Sequence, residues 1–204
     1  LLMAGSAFAP SAFALEAGVR GMYWGSTISG NIQTVISGVP ETVLDVKSDL
    51  GMKDENVFNG EAFLKAGSFT FRVAYTPLKF TGSSVLSTSI DFGGNTFLVG
   101  TPVSSKLETK MLDGDVQWDL LNPDLGVASM NLGVFLRLKY VDGSVQISSD
   151  NAALPISATQ DFRLPIPEIG VAAGIGFLKN IVRADARVSG MVYSGSHIYE
   201  GDAF

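Results

Sequence analysis

His197 stands in the stretch YSGSHIYEGD with Ser194, Ser196 and Glu200 around it. Imidazole, hydroxyl and carboxylate are the parts of an activated-hydroxyl nucleophile. In an extended chain, residues two apart share a face. The residue two places after His197 is Tyr199, and Ser196 adjoins the histidine on the opposite face, so the spacing favours a solvated histidine over a catalytic one. Asp113, Asp115 and Asp119 fall on one face of a strand, with Asp124 in the following turn. Such a row can bind Ca²⁺ or select cations. It can also pair with bases on neighbouring strands, and Arg72, Arg137 and Lys139 are the expected partners. Asp45, Lys47, Asp49, Lys53, Asp54 and Glu55 make a segment of mixed charge. Leu50 occupies the glycine position of a calcium loop counted from Asp45, which makes this a solvated loop. Gly170, Gly174 and Gly176 precede no helix and so form no phosphate cradle. They are expected to make room opposite long arginines.

Composition removes most other chemistry. The 204 residues contain no cysteine and one histidine, which excludes a disulfide scaffold, thiolate metal sites and thiol nucleophiles. Fourteen basic residues against twenty acidic ones give a net charge of −6, the wrong sign for a nucleic-acid footprint. A hydrophobic content of 46% with 17% charge excludes wholesale disorder. No cofactor and no metal is expected, and the chain reads as non-enzymatic.

Residues 1–14, LLMAGSAFAPSAFA, are apolar, uncharged and close on Ala12-Phe13-Ala14, the pattern of a cleaved export signal without its basic start. Residues 15–204 read as one domain. Within it, period-two alternation recurs at about 15–24, 58–66, 69–76, 111–120, 131–141, 168–177 and 182–193, which predicts an antiparallel all-β protein. One face of these segments, with Val19, Leu64, Phe71, Val116, Leu136, Val171 and Val188, carries no ionisable residue. The other carries Glu16, Glu61, Asp113, Asp115, Asp119, Glu168 and Asp185 against Arg20, Lys65, Arg72, Arg137, Lys139, Arg183 and Arg187. Seven acids matched by seven bases suit a packed, enclosed interior, where an unpaired charge is costly. Arg20, Glu61, Arg72, Asp113, Asp115, Arg137, Lys139, Asp185 and Arg187 are therefore the expected lumen lining, and the apolar face is expected to meet lipid.

Two further patterns agree. Long connections at about 26–57, 81–107 and 149–165 alternate with shorter ones at Ala66-Gly67-Ser68, about 121–129 and Lys179-Asn180, as in membrane barrels. Pro77, Pro102, Pro155, Pro165 and Pro167 are expected at strand ends or in loops. Tyr23, Trp24, Tyr75, Tyr140 and Tyr193 lie at one end of the strands and Phe69, Phe71, Trp118 and Phe177 at the other. These are the expected membrane-interface girdles, because amphipathic rings favour the headgroup level.

The signal pattern, strands such as FTFRVAY (69–75) and NLGVFLRLKY (131–140), and the loop asymmetry resemble a small Gram-negative outer-membrane β-barrel of the OmpA-transmembrane or OmpW-like kind. The resemblance implies an up-and-down, porin-like transmembrane barrel of eight strands in the bacterial outer membrane, monomeric, in contact with membrane lipid and lipopolysaccharide. It also implies delivery by the barrel-assembly machinery, whose signal a terminal Phe204 resembles. Only seven strands are read from the sequence. The eighth is expected beyond Phe204, with the 34–47 region or a partner chain as alternatives. The expected role is a structural or surface protein or a narrow passive pore with a charge-paired lumen. The alternatives are a lipid-modifying hydrolase using His197 with Ser194 or Ser196, and an exported soluble ligand-binding barrel.

Overall fold

The computed structural model describes residues 15–123, 127–151, 155–177, 182–193 and 196–203. The signal-like segment 1–14, Asp124, Lys179, Asn180 and Ser194 lie outside the described residues. In chain order the described strands are β1 (Leu15–Ser26), β2 (Asn31–Ile32), β3 (Val35–Ile36), β4 (Val39–Pro40), β5 (Leu44–Asp45), β6 (Glu55–Ala66), β7 (Phe69–Val85), β8 (Ile90–Phe92), β9 (Asn95–Phe97), β10 (Pro102–Leu121), β11 (Ala128–Ser149), β12 (Ser157–Phe177), β13 (Val182–Tyr193) and β14 (Ser196–Ala203). The protein is all-β. Eight strands form one curled antiparallel sheet, a half-barrel, in the order β1-β6-β7-β10-β11-β12-β13-β14. The remaining short strands pair within the first two connections, β2 with β5, β3 with β4 and β8 with β9.

The eighth strand of the described sheet is β14, paired to β13 from Tyr193↔Ser196 to Ala186↔Ala203, and the short strands of the 34–47 region lie outside that sheet. Its alternation escapes a search for apolar faces because its outward residues include Gly201 and Ala203, while Glu200 and Asp202 turn inward onto Arg137.

The middle strands are longer than their apolar alternation. β11 runs 22 residues and β12 runs 21, in unbroken register from Ala128↔Phe177 to Ser148↔Ser157. The third long connection therefore shrinks to residues 150–156. Along each of four strands the chemistry of the two faces is exchanged partway up. On β11, Leu132, Val134, Leu136 and Leu138 are exposed, while Asn131, Arg137 and Lys139 are buried. From residue 141 the same buried face carries Val141, Val145 and Ile147, and the outward face carries Asp142, Ser144 and Gln146. β10 switches near Met111, β7 near Thr76 and β12 near Ile166, and the registers Met111↔Thr76, Met111↔Val141 and Lys139↔Ile166 put these switches close to one height.

Above that height, Phe80, Val103, Val145, Ile147 and Ala158 pack against Leu44, Val46, Leu50 and Met52 of the first connection and Leu86, Ile90, Phe92 and Phe97 of the second. This is the protein's apolar core, burying surface on the concave side as a water-soluble domain does. The first connection meets β7 backbone to backbone. Gly51 has φ +63°, and a Cβ there would lie 2.4 Å from the Ser83 carbonyl oxygen, as a Cβ on Gly82 would from that of Leu50. Lys53 N–H donates to the Thr81 carbonyl (3.1 Å) and Ser105 Oγ to that of Leu50 (2.6 Å).

The second connection is held by Glu41. Its carboxylate accepts the Thr34 hydroxyl and the N–H groups of Gly93 and Gly94, both at 2.8 Å. Burial raises this carboxyl, but the Thr34, Gly94 and Gly93 hydrogen bonds outweigh it and hold the group below its ordinary value of 4.5. A depressed carboxyl stabilises the folded state above the unfolded value and loses that contribution as pH falls through the folded one. Acidification is thus expected to release the β8–β9 hairpin. The Gly93 and Gly94 amide resonances should titrate together with a midpoint below 4.5, and in Glu41→Gln that titration should vanish. A midpoint at or above 4.5 contradicts the pinning.

The prolines follow the outline of the sheet. The ladder from β7 to β6 ends at Gly60↔Tyr75 and that from β12 to β13 at Ile169↔Gly190. Pro77, Pro165 and Pro167 lie inside β7 and β12 just past those points, rather than at strand ends or in loops. A proline is tolerated within a strand where one side has no partner to serve.

Candidate functional site

The concave face of the lower sheet holds the ionisable residues. Period two places them there: Arg137 and Asp115 are 6% and 7% exposed, while Leu136 and Val116 beside them are 66% and 42% exposed. Asp115 faces Arg72 and Arg137 across its two ladders. Its carboxylate contacts Arg72 Nη1 (3.1 Å), Arg187 Nη2 (2.8 Å) and Arg137 Nε (3.9 Å). Glu61 lies 3.5 Å from Arg20 and 4.0 Å from Arg72. Arg137 then reaches Glu168 (3.7 Å), Glu200 (2.6 Å) and Asp202 (3.2 Å). Lys139 bridges Asp113 (3.5 Å) and Glu200.

Near the turn end, Asp119 pairs with Lys65 at 3.0 Å, not with an arginine of β7 or β11. The reason is height: Asp119 lies beyond Trp118↔Phe69, close to the turn end of β6 where Lys65 stands. Asp185 pairs with Arg183 (2.6 Å), which also donates to Asn131 Oδ1 (2.7 Å). Of the β12 glycines, Gly174 makes room beside Arg183 and its partners, and Gly170 makes room for an aromatic ring. A Cβ on Gly174 would fall 2.3 Å from Asn131 Oδ1 and 2.4 Å from Asp185 Oδ1, and one on Gly170 2.4 Å from the Phe135 ring. That ring is buried between Arg187 (4.2 Å) and Arg137 (5.2 Å), held by cation–π attraction.

Glu200 and Asp202 are the residues that sequence reasoning missed, because β14 was not read as a strand. They change the charge balance. Seven acids against seven bases become nine against seven, so the concave face is net acidic. A cavity of about 500 Å³ lies among β1, β6, β10, β11 and β14. Glu61, Asp113, Asp115, Glu200 and Asp202 line it, opposite Arg137, Lys139 and Arg187. Residues from both edge strands, Met22 and Trp24 on β1 and Gly201 on β14, share its wall, although no backbone ladder joins β1 to β14 among the described residues.

Trp24 shares the face of Arg20 and Met22 and borders the cavity, with 40% of its surface exposed. Tyr23, Tyr75 and Tyr140 are exposed at one end of the strands and Trp118, Phe69, Phe71 and Phe177 at the other, Phe69 stacking on Trp118 at 6.4 Å. The Tyr193 side chain lies outside the described residues.

Of the other candidates, His197 and Ser196 are described through their backbone alone. His197 pairs with Val192 and Ser196 with Tyr193 in the β13–β14 ladder, and their side chains lie outside the described residues. Asp45 caps a turn through the N–H groups of Ser48 (2.7 Å) and Lys47 (2.9 Å), and Lys47 pairs with Asp54 at 3.0 Å. Among the described residues no group of three or more His, Cys, Asp or Glu is placed to hold a metal ion. No family model, curated protein or solved structure matches the chain.

Proposed function

We propose that this chain is a membrane-spanning β-barrel protein of the bacterial outer membrane, non-enzymatic, with a charge-paired interior that serves as a scaffold for the folded connections above it. The exchange of faces carries the reading. In the lower sheet the outward surface is apolar and the ions are enclosed, the arrangement a strand needs in hydrocarbon. In the upper sheet the outward surface is polar and the core apolar, the arrangement it needs in water. About ten residues of apolar belt, at about 3.4 Å each and tilted near 45°, cover about 24 Å, the height of such a band. In this reading the free edges of β1 and β14 close on each other, since lipid does not tolerate unpaired backbone. Their common cavity and the reach of Glu200 and Asp202 to Arg137 support that closure.

A second reading, a narrow pore, rests on the same cavity. With five carboxylates to three cationic groups, it would favour cations over anions. The test is refolding from urea into phosphatidylcholine vesicles. Insertion should give carbonate-resistant protein whose mobility in detergent gels changes on boiling. Full release by carbonate, with one mobility, would reject the membrane reading. Cation-selective conductance in planar bilayers would favour the pore over the closed scaffold.

A further inference from the structure

Just above the apolar belt, the outward face of β7 and β10 carries a cluster of cations that the interior network does not use. The cross-strand registers order it row by row. Tyr75, Leu112 and Tyr140 form the last row of the belt. The next outward row is Pro77, Lys110 and Asp142, then Lys79, Glu108 and Ser144, then Thr81, Lys106 and Gln146. Three lysines thus surround one carboxylate, with Lys106 at 2.9 Å and Lys79 at 3.8 Å from Glu108. Asp142 is engaged by Arg163 at 3.3 Å. The lysines and Glu108 are solvent-accessible, so the patch is a net-positive surface bordered below by tyrosines and leucine.

We propose that Lys79, Lys106 and Lys110 form a docking surface for the phosphate of an anionic lipid headgroup. The inference rests on the membrane reading and names the lipid class that this face selects. Two residues along a tilted strand rise about 5 Å, so the three rows stand roughly 5 to 15 Å above the tyrosines, and flexible lysine stems bring their ammonium groups down toward the headgroup layer. Tyr75 and Tyr140 mark the boundary that such a lipid shares, acyl chains below and phosphate above. The patch is confined to this sector of the sheet. At the same height on β12, Arg163 is matched by Asp142, and Asp161 stands one row higher.

The test uses the full chain reconstituted into vesicles of phosphatidylcholine and phosphatidylglycerol at about four to one, extracted in mild detergent, with the retained lipids weighed by mass spectrometry. The wild type should retain phosphatidylglycerol enriched about fivefold over bulk, the effect of roughly one lysine at an anionic surface. Lys79→Gln/Lys106→Gln/Lys110→Gln should return the ratio to bulk while still inserting. Glu108→Gln, which removes the carboxylate that Lys79 and Lys106 contact, should raise it, and high salt should abolish the preference. Bulk composition in the wild type, or unchanged enrichment in the triple variant, overturns the proposal. A wild type that never enters vesicles of either composition overturns the membrane reading instead.

Discussion

Leu136→Arg is expected to cost about 2–4 kcal/mol of membrane-inserted stability, whereas Ser144→Arg, eight residues along the same strand and face, should cost almost nothing. Leu136 sits in the middle of the apolar belt, with Val116 and Ile169 across its two ladders, all three exposed. In water an exposed leucine tolerates arginine within about 0.5 kcal/mol and the protein gains solubility. In hydrocarbon the same change buries a guanidinium with no counter-ion near the bilayer midplane. Ser144 lies above the exchange of faces, among Glu108 and Asp161, where arginine is welcome. Urea titration of the heat-modifiable form in vesicles separates the two outcomes. Equal midpoints for both variants would show that the belt does not meet lipid.

Arg137→Met should be the most damaging change inside the sheet. Four carboxylates, Asp115, Glu168, Glu200 and Asp202, lie within 4.0 Å of this one guanidinium. Removing one partner of a buried ionic network costs about 3–5 kcal/mol, because the remaining charges stay buried without compensation. Methionine keeps the volume, so the loss reports charge and hydrogen bonding rather than a void. Arg137→Met/Glu200→Gln should recover part of the loss, since the second change neutralises the carboxylate with the shortest contact to Arg137, a non-additivity that marks direct coupling. Additive losses in the double variant would mean that the pair is not coupled and that β14 is held by something else.

The lower half of the fold was readable from single residues because every row of the belt obeys one rule. Leu132, Val134, Leu136 and Leu138 alternate with Gly133, Phe135, Arg137 and Lys139 without interruption. The upper half was not readable, for the reason that it is built differently. At Tyr140-Val141 two large apolar residues stand side by side, and alternation resumes through Val145 and Ile147 in the opposite phase. A reader following one face takes this as the end of a strand, although the backbone register runs on to Ser149. The same reversal, at Thr76-Leu78 on β7 and Leu107-Leu112 on β10, shortened those strands and lengthened their connections. Period reports which residues share a face, whereas the solvent that the face meets changes with height.

The interior site was legible to the same extent. Arg72, Asp115 and Arg137 met as expected because directly opposed residues on adjacent strands must meet. The contacts of Arg137 with Glu200 and Asp202 span 63 and 65 residues of sequence and depend on how tightly the sheet curls, which no alternation encodes.

Pro77, Pro165 and Pro167 stand where the upper sheet narrows to four strands, just past the ends of the ladders to β6 and β13. An amide that is missing cannot be offered to a stranger. A foreign strand approaching either flank meets a position where annealing must skip a bond, and two such skips lie two residues apart on β12. Fibril-like stacking of neighbouring molecules through their raised walls is thereby discouraged, even when many copies crowd side by side.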